Sequence, residues 1–380
     1  MINHNLALNN APDYLLHVMK KRIFTVIGAR PQFIKSGPVT SAISSAGWQE
    51  YMVHTGQHFD SNMSTVFFEQ MKLRQPDVNL KIHSLPHGAM TARMLEALEF
   101  HMQQQEPDLV LVYGDTNSTL SASLAAAKLN IPLAHVEAGL RSFNEQMPEE
   151  INRILTDRIS QILFCPTRTA VKNLNNEGYQ NLGINKRISL VGDVMYDAAL
   201  KFSDQPSALD SMTKMKPSND FILCTLHRQE NTDCPERLKK IVDEINEIHK
   251  QLAVVLPLHP RTKKKLEQYK LSLKCNLIAP QGYLEMLCWL KQCQFVMTDS
   301  GGVQKEAYFM GKKCLTLRTE TEWIELVEQG VNKLVGNNDL DISESLPWAL
   351  EKNTELFISK LYGSGNTSQL IMDEIIDHFG

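Results

Sequence analysis

The sequence predicts an α/β protein with two doubly wound halves, each a parallel sheet covered by helices. Three observations support this prediction. Short apolar runs alternate with helical stretches, the same pattern starts again in the second half, and the 380 residues exceed one ordinary domain. Strands that alternate with helices form right-handed βαβ units and therefore parallel sheets. Such sheets bind ligands beyond the carboxyl ends of their strands, so we expect a ligand cleft between the halves.

The first half contains four predicted strands. Each is a short apolar run that suits a strand buried on both faces, and the runs are 23–28, 50–54, 109–114 and 132–137. An alanine-rich stretch at 118–129 predicts a helix between the last two strands.

The second half repeats the pattern, with predicted strands at 221–225, 253–258, 295–298 and 313–317. The stretch 203–220 is polar, contains two prolines and predicts a linker or a surface excursion, which places a boundary near 192–202. We therefore expect a first domain at 21–195 and a second at 196–363. A loosely ordered extension at 1–20 precedes them.

Composition excludes several classes of function. The formal net charge of −4 provides no basic field for nucleic acid, so a phosphate-bearing ligand would have to be held by local contacts. No apolar run reaches the roughly 20 residues that a membrane span needs, and residues 1–21 lack the pattern of a signal peptide. The seven widely spread cysteines predict reduced thiols in a cytoplasmic protein and no metal site.

Two cations follow the first predicted strand. Gly28 permits a tight turn, Pro31 suits a first helical position, and Arg30 and Lys35 would bring positive charge to the start of the helix. A helix N-terminus favours phosphate, so this segment predicts a phosphate contact; the alternative is a turn with two solvated cations. The segment lacks the GxGxxG pattern, so a nicotinamide cofactor is not supported.

Three carboxylates follow later strands of the first half. Asp115 and Glu137 end two predicted strands, and Glu149 comes shortly after the second of them. Buried strands rarely end in acidic residues unless a partner or a function holds them there. A cluster of the three would raise the pKa of one carboxyl group toward the range of a general base. The alternative for Asp115 is a cap of the following helix.

Two strand ends of the second half carry basic groups. His227 and Arg228 follow one predicted strand, and they suit a diphosphate contact or a proton transfer. His259 follows the next strand, where a lone histidine is more often structural than catalytic.

The run 299–306, DSGGVQKE, is the sharpest local signal in the sequence. Ser300, Gly301 and Gly302 would present a hydroxyl and bare backbone N–H groups at the start of a helix, which makes a phosphate cradle. Glu306, about one helical turn further on, could accept both hydroxyls of a ribose. The alternative is a glycine-rich capped turn.

The order of these motifs resembles that of the non-hydrolysing UDP-N-acetylglucosamine 2-epimerases. The resemblance runs from residue 21 to the C-terminus. Its motifs are GARPQFIK at 28–35, Gln57-His58, Gly114 to Thr116, HVEAGLR at 135–141, PEEINR at 148–153, Thr225 to Arg228, DSGGVQKE at 299–306 and Tyr362 to Gly365. The resemblance implies a glycosyltransferase-B type fold in which two Rossmann-like domains close over a nucleotide sugar. It also implies a homodimer and a final helix, at 364–380, that packs back on the first domain.

The resemblance implies a reaction as well. UDP is eliminated from a UDP-2-acetamido sugar to give a 2-acetamidoglucal, and its re-addition inverts carbon 2 without a redox cofactor or a metal. The implied roles are leaving-group assistance by Arg30 and Lys35, proton transfer by Asp115, Glu137 and Glu149 with Arg153 beside them, diphosphate contact by His227, phosphate contact by Ser300 and Gly301, and ribose contact by Glu306. Gly302, Arg228 and His259 are expected to complete the substrate contacts.

Three departures from the usual pattern concern the substrate. Gln32 stands where the UDP-N-acetylglucosamine enzymes usually have Glu, the loop 142–147 is shorter than theirs, and Trp323 stands where they usually have Arg. These choices look more like the branch that acts on UDP-2,3-diacetamido-2,3-dideoxyglucuronate, a precursor of surface polysaccharides. At the positions by which some bacterial members bind an activator, Gln57, His58 and His259 match, whereas His87 stands where glutamine is usual.

Three other functions use a similar framework. A GT-B glycosyltransferase would share the nucleotide cradle but has no use for three carboxylates in the first half. A hydrolysing epimerase would use much of the same site. A nucleotide-sugar-binding regulator without turnover would be expected to lack Asp115, Glu137 or Glu149, and the chain has all three.

Overall fold

The computed structural model describes residues 20–58, 68, 71–181, 186–203, 217, 220–337, 342–358 and 360–380. Within these ranges the chain forms two parallel sheets with helices around them, which confirms the predicted α/β class with two Rossmann-like halves. The predicted extension at 1–20 and the predicted linker at 203–220 lie mostly outside the described residues.

The first sheet has seven parallel strands in the order β3-β2-β1-β4-β5-β6-β7. These strands are β1 Arg22–Ile27, β2 Gln49–His54, β3 Val78–Asn79, β4 Leu109–Tyr113, β5 Leu133–Val136, β6 Ile162–Cys165 and β7 Arg187–Leu190. The helices of this half are α1 Arg30–Ser45, α2 His87–Gln105, α3 Asn117–Lys128, α4 Pro148–Ile159, α5 Arg168–Asn176 and α6 Val194–Phe202.

The second sheet has six parallel strands in the order β10-β9-β8-β11-β12-β13. These strands are β8 Phe221–Thr225, β9 Ala253–Pro257, β10 Asn276–Ile278, β11 Val296–Thr298, β12 Cys314–Thr316 and β13 Asn332–Leu334. The remaining helices are α7 Gln229–Thr232, α8 Pro235–Gln251, α9 Pro260–Tyr269, α10 Tyr283–Gln292, α11 Gly301–Phe309, α12 Ile324–Glu328, α13 Leu346–Leu350 and α14 Thr367–Phe379.

All eight predicted strands are present, but five further strands were missed. Four of these five, β3, β7, β10 and β13, are the edge strands of the two sheets and are only two to four residues long. Such short edge strands carry little apolar pattern of their own, because they owe their conformation to hydrogen bonds with one neighbouring strand.

The order of the strands fixes where a ligand can bind. In the first sheet the order reverses between β1 and β4, and in the second between β8 and β11. Reversal points leave a crevice beyond the carboxyl ends of the two strands, which is where such sheets bind ligands. The motifs at 28–35, 114–116, 225–228 and 299–306 follow these four strands.

The C-terminal helix α14 lies against the first sheet. Its Ile371 and Ile375 belong to one buried apolar cluster with Phe33 of α1. Asp197 of α6 accepts hydrogen bonds from the backbone N–H groups of Thr367, at 3.0 Å, and of the next residue, at 2.7 Å. The start of α14 is therefore satisfied by a side chain from the helix that leaves the first sheet.

Two classes of feature do not occur among the described residues. None of the described helices is both long enough and apolar enough to cross a bilayer. The described part of the chain also contains no group of three His, Cys, Asp or Glu side chains that could hold a metal ion.

Candidate active site

Glu137, directly after β5, is a carboxylate that two lysine side chains approach. Its backbone has φ +76°, a left-handed conformation that costs free energy in a residue other than glycine. Its Oε2 atom forms an ion pair with Nζ of Lys35 on α1. A Cβ atom on Gly114, at the end of β4, would lie 3.3 Å from the same oxygen. The backbone of β4 and the strained conformation together aim this carboxylate at the crevice.

A second lysine approaches Glu137 from the other sheet. Lys305 on α11 places its Nζ atom 4.0 Å from Oε1 of Glu137 and forms an ion pair with Asp193. Burial raises the pKa of the Glu137 carboxyl, but the charges of Lys35 and Lys305 lower it by more, so the net shift is downward. Glu137 is therefore held as a carboxylate, the form that accepts a proton.

Asp115 is part of a separate ion-pair network at the end of β4. Arg153 of α4 contacts Oδ2 of Asp115 with one terminal nitrogen and Glu150, at 2.7 Å, with the other. Asn152 donates to the backbone oxygen of Asp115 at 2.8 Å. The predicted alternative, in which Asp115 caps helix α3, is wrong, because the side chain of Thr116 is the N-cap.

The two glutamates of the PEE motif have different surroundings. Glu149 is exposed in the first turn of α4. Glu150 is buried and accepts hydrogen bonds from the backbone N–H groups of Ser142 and Phe143. Burial raises the pKa of Glu150, but these hydrogen bonds and Arg153 lower it by more, so the net shift is downward. Glu150 therefore holds the loop before α4 and orients Arg153, whereas Glu149 is accessible to a ligand.

A buried network lies beneath Glu137. The two ring nitrogens of His135 on β5 face Asp157, at 2.7 Å, and the backbone oxygen of Gly114, at 2.8 Å. Asp157 also accepts a hydrogen bond from the backbone N–H of Gly139, at 3.1 Å, and from Arg141, at 2.7 Å. The segment that carries Glu137 is thus tied to α4 on both sides of the glutamate.

Gln32 joins the ends of β1 and β4. Its Oε1 atom accepts hydrogen bonds from the backbone N–H groups of Gly28, at 2.7 Å, and Ala29, at 2.9 Å. Its Nε2 atom donates to the backbone oxygen of Tyr113, at 2.7 Å, and lies 3.0 Å from each hydroxyl of Thr116 and Thr119. An amide meets both demands, because it has an acceptor on one side and two donors on the other.

In the second half, Asp299 organises the segment after β8. It accepts hydrogen bonds from the backbone N–H groups of His227 and Arg228, each at 2.9 Å, and from Asn231 at 3.1 Å. Its Oδ1 atom lies 2.9 Å from the His227 ring, which stacks at a tilt 5.5 Å from the His259 ring. Burial raises the pKa of Asp299, but the His227 ring and the backbone hydrogen bonds lower it by more. Asp299 is therefore a carboxylate, and it orients His227.

The predicted phosphate cradle lies at the start of α11. Ser300 is the N-cap, and the following residues Gly301 and Gly302 open the helix. A Cβ atom on Gly301 would lie 2.0 Å from Oε1 of Glu322, while no heavy atom lies within 4 Å of the corresponding position on Gly302. Burial raises the pKa of Glu306, while Arg30 from the first half lowers it by less. The N-terminus of α11, which favours an anion, and the buried carboxyl group of Glu306 thus belong to one short helix.

The structure places five of the candidate residues at the two reversal points and also shows what the sequence did not reveal. Lys35, Glu137 and Asp115 lie at the first reversal point, and His227 and Ser300 lie at the second. The residues that we missed are Lys305, Asp193 and Glu150. Lys305 lies inside the DSGGVQKE motif and directly before Glu306, and its place in that motif was the signal that could have identified it.

The chain is similar to several known proteins. The family model described as UDP-N-acetylglucosamine 2-epimerase matches residues 41–376. The chain is 52% identical to a UDP-2,3-diacetamido-2,3-dideoxy-D-glucuronate 2-epimerase of Pseudomonas aeruginosa, over 93% of this chain and 98% of that protein. It is 41% identical to a UDP-N-acetylglucosamine 2-epimerase of Methanocaldococcus jannaschii, over 92% of this chain and 98% of that protein.

Solved structures give the same result. The crystal structure of Methanocaldococcus jannaschii UDP-GlcNAc 2-epimerase in complex with UDP-GlcNAc and UDP has a TM-score of 0.79 and 39% identity to this chain. The match covers 94% of this chain and 99% of that one.

Proposed function

Since the chain belongs to the UDP-N-acetylglucosamine 2-epimerase family and is an isomerase that acts on a UDP-linked sugar, we propose that its substrate is UDP-2,3-diacetamido-2,3-dideoxy-D-glucuronate. The observation that carries the choice of substrate is the 52% identity to an enzyme of that name. The identity is 47% to a UDP-N-acetylglucosamine 2-epimerase homolog of Methanococcus maripaludis and 41% to the UDP-N-acetylglucosamine 2-epimerase of Methanocaldococcus jannaschii. Gln32 and Trp323 support the same choice, because both depart from the usual pattern of the UDP-N-acetylglucosamine enzymes.

The proposed reaction is an elimination followed by an addition. Carbon 2 bears an acetamido nitrogen and has no carbonyl beside it, so its proton is too weakly acidic for simple removal. A base takes H2 while the bond from carbon 1 to the UDP oxygen breaks, which leaves a double bond between carbons 1 and 2. A proton is then delivered to the opposite face of carbon 2, and the UDP oxygen re-forms its bond to carbon 1.

Glu137 is the group that we assign to proton transfer at carbon 2, with Asp115 and Glu149 as the other carboxylates of the site. The strained backbone of Glu137 and its ion pairs support this assignment, because strained residues and buried charged groups occur most often at functional sites. Arg153 orients Asp115. Microscopic reversibility requires that the group that takes a proton in one direction returns it in the other.

The remaining candidate residues are assigned to the nucleotide. A departing diphosphate develops negative charge, which preorganised cations and N–H groups stabilise. The groups that we assign to it are Arg30, Lys35, His227, Arg228, Ser300, Gly301 and Gly302, with His259 beside His227 and Glu306 at the ribose. The support for this assignment is their position at the two reversal points and the N-terminus of α11.

The test is proton NMR of the enzyme in deuterated water with each of two substrates, the 2,3-diacetamido uronate and UDP-N-acetylglucosamine. We expect deuterium at carbon 2 together with the manno product, and faster exchange with the uronate. Faster exchange with UDP-N-acetylglucosamine would overturn the choice of substrate. Binding of UDP without exchange at carbon 2 of either sugar would contradict the assignment of the base.

We further propose that two copies of the chain form a homodimer through helix α4. Ile151 and Leu155 are four residues apart, so they share one face of this helix, and Met147 is the residue that precedes its first turn. The exposed fractions of Met147, Ile151 and Leu155 are 37%, 46% and 43%. Exposed apolar stripes of this kind mark interfaces between proteins. We also propose a cytoplasmic location, which the six buried cysteines support, because they are reduced.

A further inference from the structure

Lys305 connects the phosphate cradle of the second sheet with Glu137 of the first. It lies on α11, one turn after Gly301, and is almost completely buried. Its ammonium group is 4.0 Å from Oε1 of Glu137 and is ion-paired with Asp193, which caps the helix that leaves the first sheet. One side chain of the second half therefore reaches both the proposed base and the point where the chain crosses between the sheets.

Trp323 packs its ring against the ammonium group of Lys305. The Nζ atom of Lys305 lies 4.3 Å from the centre of the Trp323 ring, a favourable cation–π distance. The indole N–H of Trp323 donates to the backbone oxygen of Gly301 at 2.9 Å. The tryptophan thus contacts the lysine and the cradle at the same time, so a displacement of the start of α11 would also displace Lys305.

Glu137 receives one ammonium group on each carboxylate oxygen, and the two have different origins. Lys35 contacts Oε2 from α1, which belongs to the same half as Glu137. Lys305 approaches Oε1 from α11, which belongs to the other half. Only the distance between Glu137 and Lys305 therefore depends on how the two halves are placed relative to each other.

We propose that Lys305 is a positioning residue for the epimerisation, which holds Glu137 in place across the cleft when the phosphate cradle lies against the first sheet. This inference rests on the proposed function of Glu137 as the group that transfers the proton at carbon 2. Opening of the cleft would withdraw Lys305 together with α11 and leave Glu137 with Lys35 alone. The base is then fully oriented only when the nucleotide-binding half is closed over the sugar, which limits wasteful reaction with water.

The charges around the pair are consistent with this role. Lys35 and Lys305 balance Glu137 and Asp193, and a buried lysine is tolerated when it is paired in this way. The other charged groups that act on the pair are Asp115, which raises the pKa of Glu137, and Glu306, which raises that of Lys305. Glu306 in turn faces Arg30. Removal of the Lys305 charge would raise the pKa of the Glu137 carboxyl, because one of the two cations that lower it would be lost.

The experiment compares the variants Lys305→Met, Lys305→Gln and Lys305→Arg with a matched control, Lys313→Met. Lys313 is also buried, lies 4.8 Å from the centre of the Trp348 ring and pairs with Glu351, but it is part of the packing of the second half. The rate of C2 proton exchange is measured by NMR against pH, and UDP affinity is measured by calorimetry. Thermal unfolding of each variant reports whether it folds.

We expect Lys305→Met and Lys305→Gln to lower kcat for exchange by roughly tenfold to a hundredfold, the loss that a small misplacement of a reacting group causes. The acid limb of the pH profile should move to higher pH, while the Kd for UDP stays within about twofold. Lys305→Arg should restore most of the rate and the wild-type acid limb. Lys313→Met should lower thermal stability and leave both the exchange rate and the acid limb unchanged.

Two results would overturn the inference. One is wild-type exchange with an unshifted acid limb in folded Lys305→Met or Lys305→Gln. The other is a loss of exchange rate in these variants together with an equal loss of UDP affinity. A lysine that only supports the fold of the phosphate cradle would weaken nucleotide binding in this way. If the wild-type enzyme itself binds UDP without exchanging the C2 proton, the proposed function fails instead, so the two failures are distinguishable.

Discussion

Nδ1 of His135 lies 2.7 Å from a carboxylate oxygen of Asp157, and neither side chain is exposed to solvent. Asp157 also pairs with Arg141 and accepts the backbone N–H of Gly139. A buried carboxylate between two basic side chains fixes the segment on either side of Glu137. The pair is therefore expected to matter for both stability and turnover.

The variant Asp157→Asn should lower the free energy of unfolding by about 3–5 kcal/mol at pH 7, because it leaves Arg141 without one of its buried charge partners. Burial raises the pKa of Asp157, but His135 and Arg141 lower it by more, so the folded pKa lies below that of the unfolded chain. Its stabilising contribution is thus present above about pH 4 and is lost as the pH falls through the folded pKa. Urea unfolding at several pH values should show that the difference between variant and wild type shrinks in acid; a constant difference would contradict this.

The variant Gln32→Glu should destabilise the first sheet. An ionised glutamate would place an oxygen without a hydrogen against the backbone oxygen of Tyr113, where Gln32 now donates at 2.7 Å. The lost hydrogen bond and the repulsion between the two oxygens should cost about 1–3 kcal/mol. Gln49→Glu is the control, because Gln49 is exposed, and it should change stability by less than about 0.5 kcal/mol. Equal stability of the two variants in chemical denaturation would argue against the role of Gln32.

The adjacent glutamates of α4 should respond in opposite ways. Glu150→Gln should lower stability by about 1–3 kcal/mol, because Glu150 is buried and accepts two backbone N–H groups and Arg153. Glu149→Gln should leave the unfolding free energy within about 0.5 kcal/mol of wild type, because Glu149 is exposed, but it should slow C2 exchange. Unchanged exchange in Glu149→Gln would remove Glu149 from the catalytic set.

The variant Asp299→Asn should impair His227 without removing it. The amide oxygen can still accept the backbone N–H groups of His227 and Arg228, which both bond to Oδ2, but the amide nitrogen would then replace Oδ1 beside Nδ1 of His227. The loss of the carboxylate charge and of this acceptor should cost about 1–3 kcal/mol of stability. The misplaced imidazole should also weaken UDP binding, measured by calorimetry. Asp243→Asn, at an exposed ion pair with Lys239, is the control and should affect neither quantity. Wild-type UDP affinity in a folded Asp299→Asn protein would show that Asp299 does not position His227.

Single lysine substitutions on α4 should weaken the proposed homodimer. Ile151→Lys and Leu155→Lys would each place a charge in the exposed apolar stripe, so sedimentation velocity should show a shift from dimer to monomer. The matched control is Leu277→Lys, because Leu277 has a similar exposure, 43%, but lies on an edge strand of the second sheet. A wild-type chain that sediments as a monomer would refute the dimer, and a dimer that survives both α4 substitutions would place its interface elsewhere.

The amino-acid sequence by itself determined the class of the fold and the position of the chemistry along the chain. Eight of the nine inner strands of the two described sheets were predicted, because a strand buried on both faces requires a continuous apolar run such as 109–114; the inner strand β6 has such a run, ILFC at 162–165, and was missed. The positions of Glu137 and Ser300 after such runs were also predictable, because ligands bind beyond the ends of parallel strands. Four edge strands were missed because their conformation depends on pairing with a neighbour.

Only the tertiary structure decided which charges meet. Lys35 and Glu137 are 102 residues apart, and Lys305 and Asp193 are 112 residues apart, so no local pattern relates them. The distinction between Glu149 and Glu150 likewise depends on which of two neighbouring carboxylates turns toward the half-buried Arg153. Helical and strand patterns record only the burial of each residue, whereas ion pairs across the cleft depend on how the two sheets lie against each other.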